Sequence, residues 1–162
     1  MKKFMLLLLA AVLAMSCVAC GDEGSEGPEP GTPLANFYDA VMAAQPADAD
    51  AVVLFPEQDP GLIGNFYPGL LDLDLDQVAA YFPPIVTHPC ELVMVEVKNS
   101  GDIQKVKDIF NARIETGSDN AAYPESSVGW ASRAQVQEAG NFVAMIVLPE
   151  GNIIPDNIFT AD

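Results

Sequence analysis

Residues 91–114, ELVMVEVKNSGDIQKVKDIFNARI, constrain the fold more than any other stretch of the chain. Leu92, Met94 and Glu96 fall on one side of an extended segment, and Val93, Val95 and Val97 on the other. A strand apolar on one side and largely so on the other reads as an inner strand of a sheet. Asn99-Ser100-Gly101-Asp102 then supplies helix-capping side chains, and Ile103, Val106, Phe110 and Ile114 recur at helical spacing. This predicts a helix of about fourteen residues with Asp102, Lys105, Asp108 and Arg113 on its outer side, stopped by Thr116-Gly117.

The flanking segments fill in the architecture. Leu34, Phe37, Tyr38, Val41 and Met42 form one apolar face of a helix. Val52 to Phe55 reads as a short strand or extended plug that Pro56 and Pro60-Gly61 end. Asp74 with Gln77 three residues later has the form of a capping box, so a short helix is expected over about 75–82, packing Val78, Ala79 and Phe82. Residues 117–130 read as a loop anchored by Tyr123-Pro124. The half-polar Ala134–Gln137 and the apolar FVAMIVL, separated by Ala139-Gly140-Asn141, predict a hairpin. A turn and a short helix beginning at Pro155 end the chain. The expected class is α+β: a small, mostly antiparallel sheet with helices packed on one face.

The N-terminal region speaks to compartment. Met1-Lys2-Lys3 is followed by twelve apolar residues, FMLLLLAAVLAM, a run with the length of a signal-peptide core and shorter than a span of ~30 Å of hydrocarbon requires. Small residues Ser16 and Ala19 each directly precede a cysteine, Cys17 and Cys20. The pattern resembles the lipobox of bacterial lipoproteins, in which the cysteine after the cut receives a diacylglycerol. Val18-Ala19-Cys20-Gly21 fits better, with Ala before and Gly after; Cys17 is the alternative. A redox C-x-x-C should open a helix beside a βαβ unit, and this pair ends an apolar leader instead. The chain then divides into a leader (1–19), a lipidated Cys and acidic Gly/Pro-rich flexible tether (20–33) and one α+β domain (34–162). If Cys17 is the acylated residue, Cys20 and Cys90 are free to pair in an oxidising compartment.

Past the leader, five basic residues, Lys98, Lys105, Lys107, Arg113 and Arg133, face all 23 acids of the chain. A surface so negative repels nucleic acid, whose binding depends on neutralising phosphates. It also repels anionic lipid heads, which leaves a lipid anchor as the contact with a membrane, at the extracytoplasmic face.

The layout as a whole resembles a family of small lipoproteins from anaerobic Gram-positive bacteria that carry a domain of unknown function. The resemblance spans roughly residues 62–148. It rests on the lipobox cysteine and acidic tether, on NFYPGLLDLDLDQVAAYFP, on the strand and helix of residues 91–114, on Tyr123-Pro124, and on GNFVAMIVL. Phe142, where tyrosine is usual, and Cys90 depart from it. The resemblance implies compartment and fold, and brings no activity.

Candidate chemistry is sparse. His88 and Cys90 would share a face of a strand and so form a thiolate–imidazole pair, although Pro89 between them favours a turn. Asp72, Asp74 and Asp76 are spaced like the start of a calcium loop, but Gln77 and Pro83 stand where that loop needs Gly and Glu. There is no G-x-S-x-G elbow, no glycine-rich phosphate loop after a strand, and no cofactor or metal motif. Trp130, Tyr123, Phe37 and Tyr38 suit a core or a ligand groove. The expected function is a lipid-anchored binding or accessory protein of the cell envelope, acting on an unidentified envelope protein or ligand. The alternative is an envelope enzyme or cation-binding protein using His88 and Cys90 or the acids of 72–76.

Overall fold

A computed structural model describes residues 27–160 except Val86; the leader and both Cys17 and Cys20 lie outside the described residues. The elements in chain order are α1 (Leu34–Ala43), β1 (Phe55–Glu57), α2 (Pro60–Phe66), β2 (Leu75–Phe82), β3 (Glu91–Val97), α3 (Ile103–Ser118), α4 (Pro124–Arg133), β4 (Gln135–Ala139) and β5 (Phe142–Val147). The five strands form one sheet in the order β1-β2-β3-β5-β4, antiparallel throughout. The α+β class and the antiparallel sheet are as the sequence predicts.

β3 is the central strand, and every one of its residues is buried. Alternation along β3 and β5 sends successive side chains to opposite faces of the sheet. Val93, Val95, Val97, Val143, Met145 and Val147 meet Ile63, Tyr67 and Leu70, then Val106 and Phe110 of α3 and Trp130 of α4. Leu92, Met94, Ala144 and Ile146 meet Leu34, Phe37 and Val41 of α1, together with Leu54, Ile158 and Phe159. The expected helical layer is thus α2–α4, and α1 with the C-terminal segment adds a second cover on the other face. Burying each large apolar side chain is worth about 1.5–3 kcal/mol, so both layers contribute substantially.

Several local readings change. Residues 75–82 are strand, not helix: Ala80 and Phe82 reach one core and Ala79 and Tyr81 the other, a period of two that no helix provides. The Gln77 side chain, read as a cap, donates across strands to Glu96 Oε2 at 2.7 Å. Residues 124–130, part of the stretch read as loop, belong to α4; Pro124 takes a first-turn position where its missing N–H costs nothing. Residues 60–66 are α2, capped by Asp59 Oδ1, which accepts from Gly61 N at 2.8 Å. Pro56 sits inside β1 and is tolerated there because β1 is an edge strand.

α3 runs two residues past Thr116, through the buried Gly117. A Cβ at Gly117 would stand 2.4 Å from Trp130 Cδ2, so glycine is required there by the closeness of α4 and does not end the helix. No helix starts at Pro155. The C-terminal segment is instead held by two glutamines: Gln45 exchanges hydrogen bonds with the Ile153 backbone (both 2.9 Å), and Gln137 reaches Pro155 O and Ile158 N.

Candidate functional site

The β2–β3 connection and the start of α4 enclose an open cleft of about 540 Å³. Thr87, His88 and Pro89 form one wall, and Ala122 to Ser126 the other. Tyr123 stands 48% exposed and is the aromatic residue of the cleft lining. Behind His88 lies a smaller, more apolar hollow of about 200 Å³, lined by residues including Val53, Ile85 and Cys90.

The structure separates the pair that sequence reading joined. Residues 87–89 form a turn, with His88 N donating to Ile85 O and Cys90 N to His88 O. His88 is exposed, whereas Cys90 is buried among Leu92, Ala144 and Ile146 of the α1-side core. Burial, reinforced by the neighbouring Glu91 carboxylate, pushes the Cys90 thiol up to about 12. A thiol held neutral in this way is a poor nucleophile and a poor metal ligand at neutral pH.

The acids of 72–76 do not gather either. Asp72 ends a 3-10 turn, Asp74 pairs with Lys98 at 2.6 Å, and Asp76 falls at a shift in the β2–β3 register; all three are exposed. Among the described residues no group of three or more His, Cys, Asp and Glu side chains is placed to hold a metal ion. Of the four aromatics singled out, Phe37 and Trp130 are core, Tyr38 stacks on Tyr81 with centroids 4.0 Å apart, and only Tyr123 reaches the cleft.

Sequence reading missed the group that braces both walls. Glu91, the first residue of β3, is buried and faces α3. Its carboxylate accepts from Arg113 Nη2 at 2.7 Å and Nε at 3.2 Å, and from the Tyr67 hydroxyl. Arg113, expected on the outer side of its helix, is 9% exposed; its guanidinium lies over Trp130 at 4.5 Å and Phe66 at 4.8 Å. Burial first, and then the Glu91 charge, raise the Tyr67 hydroxyl well above its ordinary value. Trp130 belongs to α4, whose first turn is one wall, and Glu91 lies two residues after Pro89 in the other. The walls also meet directly at Gly129, where a Cβ would come within 2.5 Å of Pro89 Cγ. The only sequence signal for this brace was an acid opening a strand that is apolar apart from its two glutamates, Glu91 and Glu96.

The second buried acid, Glu96, lies near the other end of β3 and on the other face. Its Oε1 accepts from Gly31 N at 2.8 Å and its Oε2 from Gln77 Nε2 at 2.7 Å, while Gln77 Nε2 also donates to Thr32 O at 3.0 Å.

No curated protein and no solved structure matches this chain. Residues 62–148, more than half of the chain, match the family described as a domain of unknown function, DUF4358. That stretch holds the central strands, the Glu91–Arg113 brace and both walls of the cleft, and the chain belongs to the DUF4358 family.

Proposed function

We propose that this protein is a lipid-anchored extracytoplasmic binding or accessory module of the bacterial cell envelope, and that the cleft between His88 and Tyr123 is its ligand-facing surface. The anchor is supported by the apolar leader, the small residues before Cys17 and Cys20, and the acidic sequence that follows. Binding is favoured over catalysis by one observation: the turn at 87–89 leaves His88 exposed in the cleft while Cys90 is withdrawn into the core. An exposed tyrosine flanked by prolines, hydroxyls and an imidazole offers stacking and hydrogen bonding without a poised nucleophile.

Two experiments test the proposal. Metabolic acyl labelling should mark the wild type and Cys17→Ala but not Cys20→Ala; label lost only in Cys17→Ala would move the site, and no label in the wild type would remove the anchor. A photo-crosslinker at position 126 on intact cells should capture a ligand in the wild type and lose it in Tyr123→Ala. Capture undiminished in Tyr123→Ala would show that the cleft is not the binding surface.

A further inference from the structure

The two ends of the sheet are occupied by different things. The cleft lies at the end where β3 begins, since Pro89 precedes Glu91 and Glu91 pairs with Val147. The entering N-terminal segment lies at the opposite end. There Gly31 N is held by Glu96, Thr32 O by Gln77, and Gly27 touches the β4–β5 turn so closely that a Cβ would come within 2.6 Å of Gly140 N. Glu96 is 1% exposed, so this is a built contact in which a buried carboxylate finds its partners in the segment and in β2.

We infer that residues 27–33 are a strap clamped to the hairpin end of the sheet, so that an anchor at Cys20 turns that end toward the bilayer and presents the cleft outward. The inference rests on the anchor proposed above and adds orientation to it. With the strap clamped, the chain from Cys20 to Gly27 reaches at most about 25 Å. A domain of this size is about 36 Å across. The domain therefore cannot turn end over end to stand on its cleft with the hairpin end outermost, and the clamped strap favours orientations in which the ligand approaches from solution or from the wall. Released as far as Leu34, the same tether would reach roughly 48 Å, and the orientation would be lost.

Full-length protein, purified in detergent and reconstituted into phosphatidylcholine vesicles bearing a headgroup energy acceptor, tests this. Donor dyes are placed through Glu138→Cys, beside the hairpin, or Ser126→Cys, in the cleft. Transfer from position 138 should exceed transfer from position 126. Gly27→Val, which forces a side chain into Gly140, should abolish the difference, as should a twelve-residue Gly/Ser insertion between Glu26 and Gly27, which leaves the domain untouched. Equal transfer from the two positions in the parent chain, or a difference that survives the insertion, overturns the inference. Co-flotation with the vesicles is scored separately. A chain that fails to float overturns the anchor and the orientation with it, whereas a chain that floats without a transfer difference overturns only the strap.

Discussion

Replacing Arg113 with methionine isolates the energetics of the brace. The Glu91 and Arg113 side chains are 5% and 9% exposed, and two hydrogen bonds of 2.7 and 3.2 Å join them. Removing the guanidinium leaves a buried carboxylate with the Tyr67 hydroxyl as its remaining donor. Breaking a buried pair from one side costs about 3–5 kcal/mol, most of it the uncompensated charge. Loss of the contacts with Trp130 and Phe66 adds about 0.5–2 kcal/mol, partly offset by the sulfur of methionine against the same rings. At about 3 °C per kcal/mol, the melting temperature should fall by roughly 10–15 °C. The triple variant Tyr67→Phe, Glu91→Met, Arg113→Met removes every polar group of the cluster together and should return to within about 2 kcal/mol of the wild type or exceed it. Urea unfolding followed through Trp130, the single tryptophan of the chain, reads both. A loss below about 1 kcal/mol in Arg113→Met, in the range of an exposed pair, would refute the assignment of this ion pair to the core. A triple variant as unstable as the single one would place the cost in shape and not in charge.

Three further outcomes are expected. The Cys90 thiol should resist a disulfide reagent at pH 8 and react only as urea opens the fold. Its folded value of about 12 lies above the ordinary thiol range, so the stability it confers is complete below pH 9 and is lost between pH 9 and about 12; Cys90→Ala should flatten that part of the pH–stability curve. Gly117→Val should destabilise by about 1–3 kcal/mol or more, because its Cβ would overlap Trp130, and should shift the tryptophan emission. Tyr123→Ala should change stability by less than about 0.5 kcal/mol while removing capture at the cleft, which separates binding from folding.

Period and polarity explain which elements could be read from the sequence. β3, β5 and α3 carry long, strongly periodic apolar patterns, and all three are where the pattern puts them. β2 misled because Asp74 and Gln77 have the spacing of a helix cap; only the structure shows that Gln77 serves a buried carboxylate one strand away. α4 was hidden because PESSVGWASR buries only Gly129 and Trp130, too few residues for a period to emerge. The site divides in the same way. Tyr123-Pro124 and His88 were visible as isolated features, but their meeting in one cleft depends on α3 bringing two distant loops to one end of the sheet. Arg113 looked like a solvent-facing charge because helical spacing alone does not reveal that Glu91 waits on the strand beneath it.

The family match begins at Leu62 and ends at Leu148, and so leaves out α1, Leu54, Ile158 and Phe159. Those are the residues that roof Leu92, Met94, Ala144 and Ile146. A recombinant fragment cut at the borders of the match would bare a continuous greasy surface and should precipitate or self-associate, whereas one spanning residues 27–160 should stay monodisperse. Any relative that keeps this sheet must bring its own roof from sequence outside the shared region, so similarity across the family should fade where the architectural need does not.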